Sequence, residues 1–271
     1  MPDVAFKMRY AVTPRLLTAP SHRRSGQPVS PAVKFLVAHD TGNPGSTAAG
    51  NVAYYERSRD DMSASAHLFV DDREIVECIP ALTGAPEKAW HVLYGVPTDD
   101  RLYGYDANDA ALGVEYCYGG SIDPDEAYRK YVWVLAYACH RFGLDPASSV
   151  VGHFFLDPAR KTDPVTGLAR SRRTYEGLLR DVAAEHAACT GAGVVVLPGS
   201  FVPEVGKAVA AARLNVRKGA PSRRADVVQV VPPGAVLAFD GWVAGGEPVN
   251  GNSKWYRDPN GNFFWSGGVR P

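Results

Sequence analysis

Two histidines and an aspartate, His39, His153 and Asp163, have the side-chain types from which a hydrolytic metal site is made. Catalytic zinc takes three protein ligands from imidazole, carboxylate or thiolate groups and keeps a fourth position for the attacking water. His39 ends the apolar run KFLVAH, residues 34–39, and His153 ends SSVVGH, residues 148–153. If those runs are neighbouring strands, both imidazoles emerge at one sheet edge, so topology supplies the proximity that sequence separation does not. Asp163 follows in GHFFLDPARKTDP, where Pro158 and Pro164 favour a loop able to bring a carboxylate back. The chain has no HExxH helix, in which two histidines one turn apart face a single ion. By residue type alone, Asp163 before proline is also an ordinary turn residue and Lys161 an ordinary solvated charge. Glu115, inside the apolar run LGVEYCY, is less easily explained away, because an unpaired carboxylate among apolar neighbours is costly.

The elements that must position these groups are legible as hydrophobic runs and caps. Residues 34–39, 112–118 and 148–153 read as strands, and AHLFVDD and EIVECI read as a hairpin turning at Asp71, Asp72 and Arg73. After IDPDE a helix is expected, with Asp123 as N-cap, Pro124 in the first turn, Glu126 as the capping-box acid and Gly143 as the stop. A second helix is expected over residues 174–188, with Tyr175, Leu178, Val182 and His186 along one stripe. Interleaved strands and helices imply a mixed α/β domain over residues 1–189. Beyond Cys189 the text changes to TGAGVVVLPGS and KAVAAAR, read as a linker over 190–210. The remainder, 211–271, alternates short strand-like runs with Gly- and Pro-rich turns, the pattern of a small all-β barrel.

Composition narrows the function classes. The 29 Lys and Arg balance the 29 Asp and Glu, so net charge makes no case for a nucleic-acid or anionic-membrane partner. A 45% hydrophobic, 21% charged chain of 271 residues has ample material for a core, which excludes global disorder. No stretch reaches the roughly 20 apolar residues of a membrane span. The first residues lack the apolar core and cleavage site of a signal peptide, so synthesis in the cytoplasm is expected. Cys78, Cys117, Cys139 and Cys189 are widely spaced and are expected as reduced, packed thiols.

At VAHDTGNPGSTAAGNVAYYERS, SASAHLFVDD, LGVEY and the GHxxxDPxRKTDP segment, the chain resembles the zinc-dependent N-acetylmuramoyl-L-alanine amidases of phage and bacilli, over roughly residues 8–185. The resemblance implies a mixed central β-sheet flanked by helices, the fold shared with peptidoglycan recognition proteins. It implies one Zn2+ per chain on His39, His153 and Asp163, the last in a position that other members fill with Cys. It further implies Glu115 as the catalytic glutamate and Lys161 as a stabiliser of the transition state. His91, in AWHV, resembles part of the family's substrate cleft; it is either a substrate contact or a hydrogen-bonded rim histidine, whereas His67 is read as a hydrogen-bonded core residue. The last segment, through LNVRKGAPS and KWYRDPNGNFFWSGG, resembles bacterial Src-homology-three-like (SH3-like) domains, which often fasten hydrolases to the wall. Trp242, Trp255, Tyr256, Phe264 and Trp265 could offer aromatic contacts or simply fill the barrel.

The expected activity is therefore peptidoglycan hydrolysis at the muramoyl–L-alanine amide by an endolysin or autolysin, monomeric, reaching the wall after holin-type release or cell lysis. Two other classes compete: a peptidoglycan-binding protein without catalysis, against which the retained His39, His153, Asp163, Glu115 and Lys161 argue, and a cytosolic muropeptide-recycling amidase, which has little use for a wall anchor.

Overall fold

The computed structural model describes residues 5–191 and 202–270. The chain divides into two compact units, Met1–Gly193 and Val194–Pro271. In the first, the order is β1 (Val12–Pro14), β2 (Phe35–Asp40), α1 (Ala48–Arg57), β3 (Leu68–Val70), β4 (Ile75–Glu77), α2 (Pro97–Tyr103), α3 (Ala107–Ala110), β5 (Ala111–Tyr116), α4 (Pro124–Phe142), β6 (Val150–Gly152), α5 (His153–Leu156), α6 (Val165–Arg170) and α7 (Tyr175–Thr190). The strands form one mixed sheet in the order β1-β4-β3-β5-β2-β6.

β2 lies between β5 and β6 and is parallel to both, and every one of its residues is buried. A strand covered on both faces has to be continuously apolar, which is what residues 35–38 supply. Its side chains alternate between two cores: Leu36 and Ala38 join the larger one with Trp133, Leu135 and Val182 from α4 and α7, whereas Phe35 and Val37 join a smaller one with Val151 and Leu156. The same alternation in β5 sends Leu112 and Val114 to the large core and Ala111 to the small one. His39 and Glu115 inherit the second parity, so both fall on the face opposite α4.

α4 runs between its expected boundaries. The Asp123 carboxylate accepts from the N–H groups of Asp125 and Glu126, and Gly143 ends the helix at φ 64°. The capping-box reading of Glu126 is corrected: its carboxylate pairs with Arg129 and Lys130 on the following turn instead of reaching back to the cap. α7 extends two residues past its expected end, with Thr174 as N-cap. All four cysteines are free and buried.

The second unit is an antiparallel sheet of β7 (Val202–Ala210), β8 (Leu214–Arg217), β9 (Val227–Val231), β10 (Val236–Val243), β11 (Trp255–Arg257), β12 (Phe263–Trp265) and β13 (Val269–Arg270), in the order β13-β7-β10-β11-β12-β8-β9. Residues 202–210, read from the sequence as linker, are thus a strand, and Ala208 and Ala210 are buried in its core beside Leu237 and Phe239. Of the rest of that linker, Thr190 and Gly191 are the last residue and the C-cap of α7, and residues 192–201 lie outside the described residues. Of the aromatics considered as contacts, Trp255 and Phe264 are core residues, whereas Trp242, Tyr256 and Trp265 keep partial exposure. Among the described residues no helix is long and apolar enough to cross a membrane.

Candidate metal centre

The parallel register of β2 against β6, Ala38 opposite Gly152, brings His39 and His153 side by side at the carboxyl ends of their strands. Asp163 returns to them because the Phe154 N–H donates to the Asp163 carbonyl at 2.9 Å, closing the loop that follows α5. The outcome is convergent: Asp163 Oδ2 lies 2.8 Å from His39 Nδ1 and 3.0 Å from His153 Nδ1. One ligand atom from each of the three residues lies within 4.8 Å of the others. Both histidines are buried. Burial, chiefly, holds the His39 imidazole below its ordinary pKa, so it stays neutral and able to offer a lone pair. For Asp163 burial opposes ionisation, but the hydrogen bonds to His153 and His39 outweigh it and hold the carboxyl well below its usual range. Two imidazole nitrogens and one carboxylate facing a common point are the donor set of a divalent ion, and the residues fit one. The Tyr131 hydroxyl donates to the His39 carbonyl at 3.0 Å and fixes the end of β2. Nothing in the sequence signals that contact, since a tyrosine on the apolar stripe of a helix reads simply as core.

Glu115 is the register partner of His39 across β2 and β5. It is partly accessible as a residue, yet its Oε2 is sealed from solvent and has no hydrogen-bond partner. Burial, then the charges of Asp163 and Asp40, push its carboxyl well above the usual range, with Lys161 opposing. A carboxyl so raised holds a proton more readily than an ordinary glutamate, which suits it to take one from water and return it to a leaving group. His39, Glu115, His153, Lys161 and Asp163 line one open cleft of about 450 Å³, and Lys161 is exposed at its side. A second hollow of about 380 Å³, lined by Trp90, Tyr94 and Arg160, shares His91, His153 and Lys161 with the first.

His91 is brought to the same place, although it is buried, with its Nδ1 3.1 Å from His39 Nε2. His67 is a core histidine as expected: its Nε2 donates to the Glu87 carbonyl at 2.9 Å and its Nδ1 accepts from the Gly113 N–H at 2.9 Å. Burial, chiefly, pushes its pKa down to about 4. An unfolded histidine titrates near 6.5, so between those values the unfolded chain binds a proton that the fold refuses, and stability falls as pH drops through the window. In chelator-treated protein, urea unfolding at pH 7 and pH 4 should give a loss from this residue on the order of 3 kcal/mol. The measure is the wild-type loss minus that of His67→Asn, and equal losses would mean that His67 is protonated in the fold.

Residues 29–166 match the family model described as N-acetylmuramoyl-L-alanine amidase. The chain is 32% identical over 151 residues to the N-acetylmuramoyl-L-alanine amidase BlyA of Bacillus subtilis (strain 168), an alignment covering 52% of this chain and 39% of that protein. The chain therefore spans about two fifths of the length of that relative. Its fold is similar to the catalytic domain of XlyA, with a TM-score of 0.51 and 21% identity over 64% of this chain and 99% of the other. It is similar also to the Staphylococcus aureus hydrolase AmiA in complex with its ligand, again with a TM-score of 0.51 and 21% identity, over 68% of this chain and 87% of the other. The matched residues carry β2 through β6 and the whole convergent site, and the chain belongs to the N-acetylmuramoyl-L-alanine amidase family.

Proposed function

We propose that the chain is a zinc-dependent peptidoglycan hydrolase that cleaves the amide joining the lactyl group of N-acetylmuramic acid to L-alanine. The observation that carries this reading is the convergence of His39, His153 and Asp163 beside Glu115 in one open cleft. His39, His153 and Asp163 would hold the ion, which when bound lowers the pKa of a coordinated water toward 7 and polarises a carbonyl. Glu115, with its unpartnered Oε2, accepts the proton of the attacking water and returns it to the leaving amine of L-alanine. Lys161, exposed at the side of the cleft, brings an ammonium to the negative charge that grows on the carbonyl oxygen. The adjoining hollow with Trp90, Tyr94 and Arg160 gives a branched substrate room to extend beyond the scissile bond.

The second unit is read as an SH3-like wall-binding module with Trp242, Tyr256 and Trp265 as its accessible aromatics. Tethering of this kind raises the local substrate concentration, so its removal should slow digestion of intact wall more than of soluble fragments.

The test is mass spectrometry of purified peptidoglycan incubated with chelator-treated and with zinc-restored protein. Stem peptides bearing new L-alanine amino termini are expected with the zinc-restored sample alone. New reducing sugar ends would make the protein a glycosidase, and sedimentation with the wall without any cleavage would make it a recognition protein.

A further inference from the structure

His39 meets the cleft with one ring nitrogen and the interior with the other: Nδ1 is directed to Asp163 Oδ2, and Nε2 lies 3.1 Å from His91 Nδ1. An imidazole that gives its Nδ1 lone pair to an ion carries its proton on Nε2, and a buried N–H needs an acceptor. His91 Nδ1 is the group at that position, so it must be unprotonated, with the His91 proton on Nε2. That tautomer leaves the His91 Nε2 proton sealed without a hydrogen-bond partner, a cost that the contact with His39 has to offset.

The backbone that carries the ring is pinned, and the ring lies against a glycine. Asn108 Oδ1 accepts from the N–H groups of His91 and Val92 at 2.9 and 3.0 Å, and its Nδ2 donates to the Val92 carbonyl at 2.7 Å. β5 has a glycine where the imidazole lies, and a Cβ at Gly113 would come 2.7 Å from His91 Cγ. The space left at Gly113 lets His91 Nδ1 come within reach of His39.

We propose that His91 is a positioning residue: by accepting the Nε2 proton of His39 it fixes the tautomer and ring orientation that present His39 Nδ1 to the metal. This rests on the metal reading of His39, His153 and Asp163, and it gives His91, which also lines the cleft, a role behind a ligand. Outer partners of metal-bound histidines typically change metal affinity by about 10–100-fold.

The experiment measures the zinc dissociation constant by competition with a chromogenic chelator, without substrate. His91→Phe keeps a ring but removes the acceptor, and zinc affinity should fall by about 10–100-fold. His91→Asn can place an amide oxygen where Nδ1 lay and should recover most of that affinity. An unchanged zinc constant in His91→Phe overturns the proposal, as does equal weakening in both variants. A second readout uses the wild type alone: nitrogen-15 NMR of the zinc-loaded protein should show protons on Nε2 of both His39 and His91, and a proton on His91 Nδ1 overturns the assignment. Because neither readout involves peptidoglycan, absence of amide cleavage would count against the proposed reaction and leave this test intact.

Discussion

Glu115→Gln is expected to lower cleavage of the muramoyl–L-alanine amide by about a hundred- to ten-thousandfold, the usual worth of a positioned general base, while zinc content and wall sedimentation stay at wild-type levels. The amide keeps the shape of the carboxyl and cannot take a proton. The position is specific: Glu115 is opposite His39 in the β2–β5 register and shares the cleft with Lys161 and Asp163. Stability should hold or rise, because the substitution replaces a buried ionisable carboxyl with a neutral amide of the same shape. The pH dependence has a definite sign. Burial and the neighbouring carboxylates raise the pKa of Glu115, and the base is competent only once deprotonated, so activity climbs with pH through that raised value. Loss of this acidic limb together with the rate is the expected signature, and a variant rate close to wild type would remove Glu115 from proton transfer.

What the sequence disclosed depended on how local the cause was. α4 was legible to its ends because Asp123, Pro124 and Gly143 act within their own turns. The two histidines were legible as strand ends because β2 and β6 are apolar runs that stop within one residue of them. The site itself depends on pairings with no local signal: β2 between β5 and β6, His39 opposite Glu115, and the Phe154 to Asp163 backbone bond that returns the third carboxylate. α1 follows a turn rich in Gly and Pro, and only Ala48 and Val52 of its residues are buried, too thin a stripe to stand out. β7 reads as linker because glycine and alanine hide a strand's alternation; its order comes from β10, whose Phe239 ring occupies the space a Cβ at Gly206 would need. His91 could be placed near the cleft from its neighbours in AWHV, but its contact with the inner nitrogen of His39 follows from the space left at Gly113.

Asp163→Ala is expected to abolish stable zinc binding, a larger effect than the loss of any outer partner. It removes the anionic ligand and leaves two buried imidazoles, and a bound dication would then have no protein charge at the position where both Nδ1 atoms converge. Metal analysis after dialysis should find zinc in the wild type and none in the variant. The effect also appears in stability, since a ligand bound only by the folded state adds about 4 kcal/mol at a thousandfold excess over its dissociation constant. Zinc should therefore raise the wild-type unfolding temperature and leave that of Asp163→Ala unchanged. Asp163→Cys separates ligation from bulk charge: a thiolate is an equally ordinary zinc ligand, so this variant should regain the metal and the zinc-dependent rise in unfolding temperature. It should also become sensitive to peroxide, because thiolates climb an oxidation ladder that carboxylates do not. Full zinc occupancy in Asp163→Ala would show that the carboxylate only hydrogen-bonds the two histidines, and the third ligand would then have to be sought elsewhere in the cleft, with Glu115 the nearest candidate in the β2–β5 register.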